Sequence, residues 1–312
     1  MAWQQVMDAY ELLDDPKVNG DAVADLWRAS GVSDVRVTTV DGERGSTDFV
    51  RAVIPGSSGK KTGGTSPTLG VIGRLGGIGA RPEQIGFVSD GDGALAAVAV
   101  AAKLARMHDR GDVLAGDVVV ATHICPTAPT RPHDPVPFMD SPVGIAEMNA
   151  HEVDSAMDAV LSIDTTKGNR ICNAVGFAVS PTIRKGWVLR VSEDLLSVQQ
   201  RVTGRLPVVL PVTTQDITPY GNGVFHINSI LQPATATEAP VVGVAITTET
   251  PVAGSATGAT SLASVEEAAR FCIDVGKDFG RGGCAFYDPE ESERLIELYG
   301  PMTHLQAAPS AP

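Results

Sequence analysis

An alanine-rich apolar helix between short apolar runs is the feature that most constrains the fold. The helix GALAAVAVAAKLARMHDRG begins near Gly93, and the runs are LGVIG (69–73), DVVVAT (117–122) and AVLSI (159–163). Strands that are apolar on both faces and are separated by helices occur in sheets that other elements cover on both sides. We therefore expect a three-layer α/β/α fold around a central, mostly parallel mixed sheet.

The pattern predicts one α/β domain over residues 1–300. Its 33 glycines and 21 prolines are scattered among apolar runs instead of being gathered into one linker. Two helices are expected within residues 1–31, a flexible glycine-rich loop at 55–68, and a proline-rich loop over the site at 124–142. Residues 301–312 are expected to be a disordered tail.

The charge balance restricts the partners of the chain. It has 24 Lys and Arg against 37 Asp and Glu, which gives a formal net charge of −13. Nucleic-acid binding depends on clustered basic side chains, so we expect no nucleic-acid partner. No apolar run approaches the roughly 20 residues that span a bilayer, and the acidic start MAWQQVMDAYELLDD is unlike a signal peptide. We expect a cytoplasmic protein without membrane contact.

Three polar residues come directly after apolar runs. Asp90 follows IGFVS (85–89), His123 follows DVVVAT and Asp164 follows AVLSI. Ligands of open α/β sheets collect at the carboxyl ends of the strands, so these side chains are expected to share one cleft as metal ligands. Each has another interpretation: Asp90 and Asp92 as helix caps, His123 as a polar group at a strand end, and Asp164 as a turn residue.

Further candidates lie in two loops. His133 and Asp134, in the proline-rich loop, are predicted to contribute to catalysis, and His226, in YGNGVFHINS, to contact substrate. Cys125 is two residues after His123 and points to the same side if the strand continues. A metal-free chemistry through the Cys125 thiol with His123 or His133 is therefore left open.

The order of these pieces resembles that of a known superfamily. VSDGDGALAAVAVAAKLARMHDRGDVLAGDVVVAT resembles the centre of the zinc-dependent exopeptidases, especially the tetrahedral aminopeptidase and leucyl-aminopeptidase-like branches. AVLSIDTTKGN is similar to the strand that ends in that family's next carboxylate ligand, and PVVGVAITTETPVAGSATGATSLASVEEAARFCIDVGKDF to its last strand, ligand loop and helix. The chain also resembles a bacterial family of uncharacterised proteins marked by THICPTAPTRPHDPVPFM.

The resemblance implies a metallo-exopeptidase-like fold, a divalent metal (Zn or Mn), a small-molecule or peptide substrate, and a homo-oligomer. Matched by position, the ligand that opens the alanine-rich helix is Asp90, or alternatively Asp92, and the later carboxylate is Asp164. The first ligand motif falls at GVIGRLGGIG, where Arg74 stands and is predicted to contact substrate. The family's Glu pair falls near residues 126–127, and ETPVAGSATG lacks the final His.

Two functions remain open. One is a divergent, metal-dependent hydrolase of a small amide, peptide or cyclic amide, which uses the ligands and loop residues named above. The other is a non-catalytic ligand-binding or oligomeric assembly protein on the same fold. The replaced motif positions favour the second function, whereas the concentration of His, Cys, Asp and Pro in residues 122–140 favours the first.

Overall fold

The computed structural model describes residues 1–306 except 16, 44, 75–85, 126–127, 129, 133–137, 213–229 and 255–257. The strands in this part of the chain are β1 (Asp34–Gly42), β2 (Gly45–Ile54), β3 (Leu69–Gly73), β4 (Val118–Ile124), β5 (Thr130–Arg131), β6 (Phe138–Met139), β7 (Ala159–Thr166), β8 (Gly176–Val179), β9 (Ile183–Arg184), β10 (Trp187–Val188) and β11 (Val241–Thr247). The α-helices are α1 (Trp3–Leu13), α2 (Gly20–Ala29), α3 (Asp92–Asp109), α4 (Ile145–Glu152), α5 (Glu193–Thr203), α6 (Leu262–Gly280) and α7 (Pro289–Tyr299).

Nine strands form one mixed sheet, in the order β1-β2-β4-β3-β7-β11-β9-β10, with β8 also paired to β11. The four central strands β4, β3, β7 and β11 run parallel. The outer pairings, such as β2 with β4 and β8 with β11, are antiparallel. The predicted α/β fold with a parallel sheet centre is therefore confirmed, and three of the parallel strands are the apolar runs that predicted it.

Both faces of the sheet are covered, but unevenly. Val71, Val120 and Leu161 face a core cluster that includes residues of α1, α2, α3, α5 and α6. The alternate residues, such as Ile72 and Val119, face a second cluster, and on that side α4 packs against β2 and β4. None of the helices that the structure describes is long and apolar enough to cross a membrane.

Residues 86–89 of the run IGFVS do not form the strand that the composition of the run indicates, and Ile85 lies outside the described residues. No strand of the sheet includes residues 86–89, and Ser89–Gly91 form a 3₁₀ turn that leads into α3. The backbone here is tied to the end of α1, because Phe87 N–H donates to Asp14 Oδ1 at 2.5 Å. Gly86 adopts φ +98°, which a strand residue would not. Asp90 therefore precedes a helix instead of following a strand.

The segment 55–68, expected to be a flexible loop, is anchored to the start of β4. It contains a 3₁₀ turn at Lys60–Thr62. The buried Asp117 carboxylate accepts hydrogen bonds of 2.8 Å from the backbone N–H groups of Gly56 and Lys61. A long-range side-chain contact thus orders a sequence whose composition is typical of a mobile linker.

The expected disordered tail also contains local structure at its start. Thr303–Leu305 form a 3₁₀ turn. Met302 N–H donates to Lys185 O at 3.0 Å, which joins this segment to the turn between β9 and β10. Residues 307–312 lie outside the described part of the chain.

Candidate functional site

The carboxyl ends of β4, β3 and β7 bring three of the predicted site residues into one row. Gly73 of β3 lies opposite the residues that immediately precede His123 on β4 and Asp164 on β7, and Arg74 follows Gly73. Because side chains alternate along a strand, all three point to the face that α4 covers. Arg74 stands between the other two in this row.

A carboxylate from α4 joins two members of this row. Glu152 Oε1 lies 2.5 Å from His123 Nδ1, and Glu152 Oε2 lies 3.1 Å from Arg74 Nε. All three side chains are at most 1% exposed. Arg74 also donates to Asn149 Oδ1, and its Nη1 lies 3.7 Å from Met148 Sδ. The Arg74 guanidinium is thus buried in an internal network, and its predicted contact with substrate stays a prediction.

The network fixes the orientation of the His123 ring. Glu152 Oε1 lies 2.5 Å from Nδ1, and the same carboxylate is paired with the Arg74 guanidinium. An imidazole that bonds a carboxylate through Nδ1 directs Nε2 away from that carboxylate. Nε2 is the atom through which an imidazole held in this way would exchange a proton or bind a metal.

The sequence analysis did not identify Glu152, which follows His151 at the end of α4. Asn149 and Glu152 are three residues apart, so they share the helix face that meets the sheet. His151 lies on another side, where it pairs with the exposed Glu147 at 3.0 Å. Met148, Asn149 and Glu152 are spaced so that they lie on one face of α4, and this face is buried. That spacing is the signal in the sequence that could have identified Glu152.

Asp90 is placed by the loop between β11 and α6. Its backbone N–H donates to Gly254 O at 2.9 Å. A Cβ on Gly254 would lie 2.1 Å from Asp90 Oδ1, so the loop backbone can approach the carboxylate only because this residue is glycine. Thr165 Oγ1 also donates to Ser89 O at 3.0 Å, which holds the 3₁₀ turn against the end of β7.

A second buried ion pair lies at the start of α3. Lys167, just beyond β7, places its Nζ 3.0 Å from Asp92 Oδ2, and the two side chains are 7% and 0% exposed. Burial raises the pKa of the Asp92 carboxyl, and the Lys167 ammonium acts in the opposite direction. The Thr260 side chain also bonds to this carboxyl and acts to lower its pKa. Neither Lys167 nor this pairing was expected from the sequence.

The fit to a metal ion is partial. Among the described residues, no group of three or more His, Cys, Asp or Glu side chains is arranged to hold a metal ion, so Asp90, His123 and Asp164 do not form one by themselves. One candidate donor has the support that a metal ligand usually has. A carboxylate on one ring nitrogen commonly holds a metal-binding imidazole, and Glu152 occupies that position beside His123.

The strand does not continue to Cys125, because β4 ends at Ile124. The buried thiol lies 3.6 Å from Ser46 O, to which it donates. His123 Nδ1 is bonded to Glu152. The Cys–His hypothesis stays a prediction.

Three other predicted site residues, His133, Asp134 and His226, lie outside the described residues. The same holds for residues 126–127, where the resemblance places the Glu pair. Their roles stay predictions.

Comparison with known proteins identifies the family. A family model described as "Protein of unknown function (DUF1177)" matches residues 38–309. The chain belongs to this family. No curated protein matches it. Among solved structures, leucine aminopeptidase from Caenorhabditis elegans is similar, with a TM-score of 0.50 and 11% sequence identity.

That similarity covers 88% of this chain and 65% of the aminopeptidase. At this level of identity it shows the fold alone. The expected likeness to the leucyl-aminopeptidase-like fold is thus confirmed for this member of the DUF1177 family, whereas the particular tetrahedral aminopeptidase branch stays a prediction.

Proposed function

We propose that this protein is a hydrolase of a small amide, peptide or cyclic amide, and that its reaction takes place at the carboxyl ends of β3, β4 and β7. The observation that supports the proposal is the buried His123–Glu152–Arg74 network on an aminopeptidase-like fold. Such a network holds the His123 imidazole in a defined orientation. A catalytic base or a metal-binding imidazole needs that orientation.

The proposed metal dependence rests on donor chemistry. His123 Nε2, Asp90 and Asp164 are the proposed ligands, with His133 and Asp134 as donors from the proline-rich loop. A bound divalent ion would lower the pKa of a water molecule and polarise the scissile carbonyl. In this proposal, Glu152 orients the imidazole and Arg74 pairs with the Glu152 carboxylate.

The test is to incubate the protein with a panel of dipeptides, N-acyl amino acids and cyclic amides in the presence of added Mn²⁺ or Zn²⁺. Hydrolysis is measured as the release of amine. His123→Ala should reduce kcat/KM by about 10²–10⁴-fold, the usual range for a proton-transfer residue. His108→Ala, at the exposed end of α3, is the matched control and should be neutral. Hydrolysis that His123→Ala leaves unchanged would contradict the proposed site.

The metal requirement has its own measurement. Protein purified without chelator should contain bound divalent metal by elemental analysis, because such sites hold their ions tightly. Less than about 0.2 metal per chain, with no rebinding after dialysis against Mn²⁺ or Zn²⁺, would remove the metal from the proposal.

A ligand-binding or assembly role is the second candidate. It is favoured by the burial of the whole network, because a buried polar network also occurs as a structural polar core. In that case no member of the panel is hydrolysed. His123→Ala then lowers the thermal unfolding midpoint, and a bound small molecule raises the midpoint of the natural sequence.

A further inference from the structure

The C-terminal segment, residues 300–306, docks on the turn between β9 and β10. Trp187 Nε1–H donates to Gly300 O at 2.9 Å. A Cβ on Gly186 would collide with Met302 O, so the two backbones can approach this closely only because residue 186 is glycine. Long-range contacts therefore fix this segment, whose sequence predicts disorder.

Gln306 joins the C-terminal segment to the 3₁₀ turn Gln232–Thr235, which lies before β11. Its side-chain Nε2 donates to Ala234 O and also lies 3.4 Å from Thr237 O. Ala234 is buried, and a buried carbonyl that loses its donor destabilises the backbone around it. The position of the turn thus depends on a side chain 72 residues away.

The same turn fixes the orientation of the Asn149 side chain on α4. Asn149 Nδ2 donates to Gln232 O at 3.1 Å and to Thr235 Oγ1 at 3.0 Å. With both amide donors directed at the turn, Asn149 presents Oδ1 to Arg74, whose Nη2 donates to it. A rotated amide would place its N–H groups against a guanidinium that can only donate.

The position of Arg74 in turn affects His123. The guanidinium is planar and rigid, so its contact with Asn149 restricts how Nε meets Glu152 Oε2, 3.1 Å away. Glu152 Oε1 lies 2.5 Å from His123 Nδ1. A contiguous series of contacts therefore leads from the turn to the imidazole.

We propose that Gln306 is a positioning residue for the His123 imidazole. It holds the turn Gln232–Thr235 against Asn149, and Asn149 orients the Arg74–Glu152 pair to which the imidazole is bonded. The consequence for catalysis rests on the proposed function, whereas the effect on the imidazole does not.

The test is a nitrogen–proton correlation spectrum of the full chain labelled at its histidine rings, with the His123 signal assigned by its loss in His123→Gln. Gln306→Ala should shift this signal, because the turn and the amide of Asn149 lose their fixed position. His304→Ala is the matched control, since His304 is exposed in the same segment, and it should leave the His123 signal in place.

A double variant tests the route through Asn149. Asn149→Ala should itself shift the His123 signal, and adding Gln306→Ala should then produce no further shift. If Asn149→Ala does not fold, the comparison of Gln306→Ala with His304→Ala decides.

Three outcomes would overturn the inference. The first is a His123 signal that stays in place in Gln306→Ala while the thermal midpoint falls or is unchanged, as expected for a purely structural contact. The second is an equal shift in His304→Ala. The third is a shift after Gln306→Ala that is just as large in the Asn149→Ala chain.

Hydrolysis separates this inference from the proposed function. If the natural sequence hydrolyses a member of the substrate panel, Gln306→Ala should lower kcat by up to about 10²-fold with little change in KM, because a misplaced catalytic group affects the chemical step. An unchanged kcat beside a shifted signal would overturn the role of Gln306 in the reaction. If no substrate is hydrolysed, the proposed function fails and the His123 signal alone decides the inference.

Discussion

Removal of a buried carboxylate that is paired with two side chains leaves both of these side chains without that partner. Glu152 is 1% exposed and is paired with both Arg74 and His123. Its removal leaves a guanidinium in the interior without a counter-charge, whereas an exposed ion pair of the same type contributes little.

We expect Glu152→Ala to reduce the free energy of unfolding by about 3–5 kcal/mol, the range for breaking a buried pair. Glu152→Gln, which keeps a hydrogen-bonding group beside His123 Nδ1, should lose less. The measurement is urea unfolding followed by circular dichroism. Glu147→Ala on the same helix is the control, because Glu147 is 47% exposed and also pairs with a histidine. A loss after Glu147→Ala as large as that after Glu152→Ala would contradict this explanation.

The thiols should be inert in the folded chain. All four cysteines are buried, and burial raises the pKa of Cys172 and Cys272 and raises the pKa of Cys284 to about 12. The fraction of reactive thiolate at pH 8 is therefore lower than for an exposed thiol. At Cys284 the difference is about three orders of magnitude.

Reaction with a chromogenic disulfide should be slow for the native chain and should release four equivalents after unfolding in guanidinium. A rapid native phase that disappears in Cys125→Ser would instead support the Cys–His chemistry left open by the sequence.

At the scale of elements, the approach of α3 to the sheet depends on small residues where they meet. A Cβ on Gly93 would lie 2.5 Å from both Arg74 O and Ile163 O, and a Cβ on Gly73 would lie 2.4 Å from Gly93 O. These glycines allow the start of α3 to lie against the ends of β3 and β7, where Asp92 meets Lys167.

Gly93→Ala should therefore push α3 away from the sheet and destabilise the fold by about 1–3 kcal/mol, the usual range for overpacking. Gly144→Ala, at the start of α4, is the control, because its Cβ would meet nothing within 4 Å. Equal thermal midpoints for the two variants would show that the close approach at Gly93 does not constrain the fold.

At the scale of the whole molecule, the expected homo-oligomer remains a prediction. The resemblance to a fold whose members assemble predicts a homo-oligomer. Light scattering coupled to gel filtration should give a mass of at least twice the 32.4 kDa of one chain. A mass of a single chain throughout the micromolar range would contradict it.

Local sequence determined most of the secondary structure and the sheet centre. Helices α2, α5, α6 and α7 begin at side-chain caps that local patterns reveal, and the parallel strands are continuous apolar runs. The positions of His123 and Asp164 at the ends of strands were equally local.

The tertiary structure decided which side chains became partners. Glu152 is 29 residues from His123, and Lys167 is 75 residues from Asp92, so no local pattern links them. Strand order and the packing of α3 and α4 bring these groups together. Once they are buried, each carboxylate requires a nearby positive charge or donor, and this requirement determines the pairing.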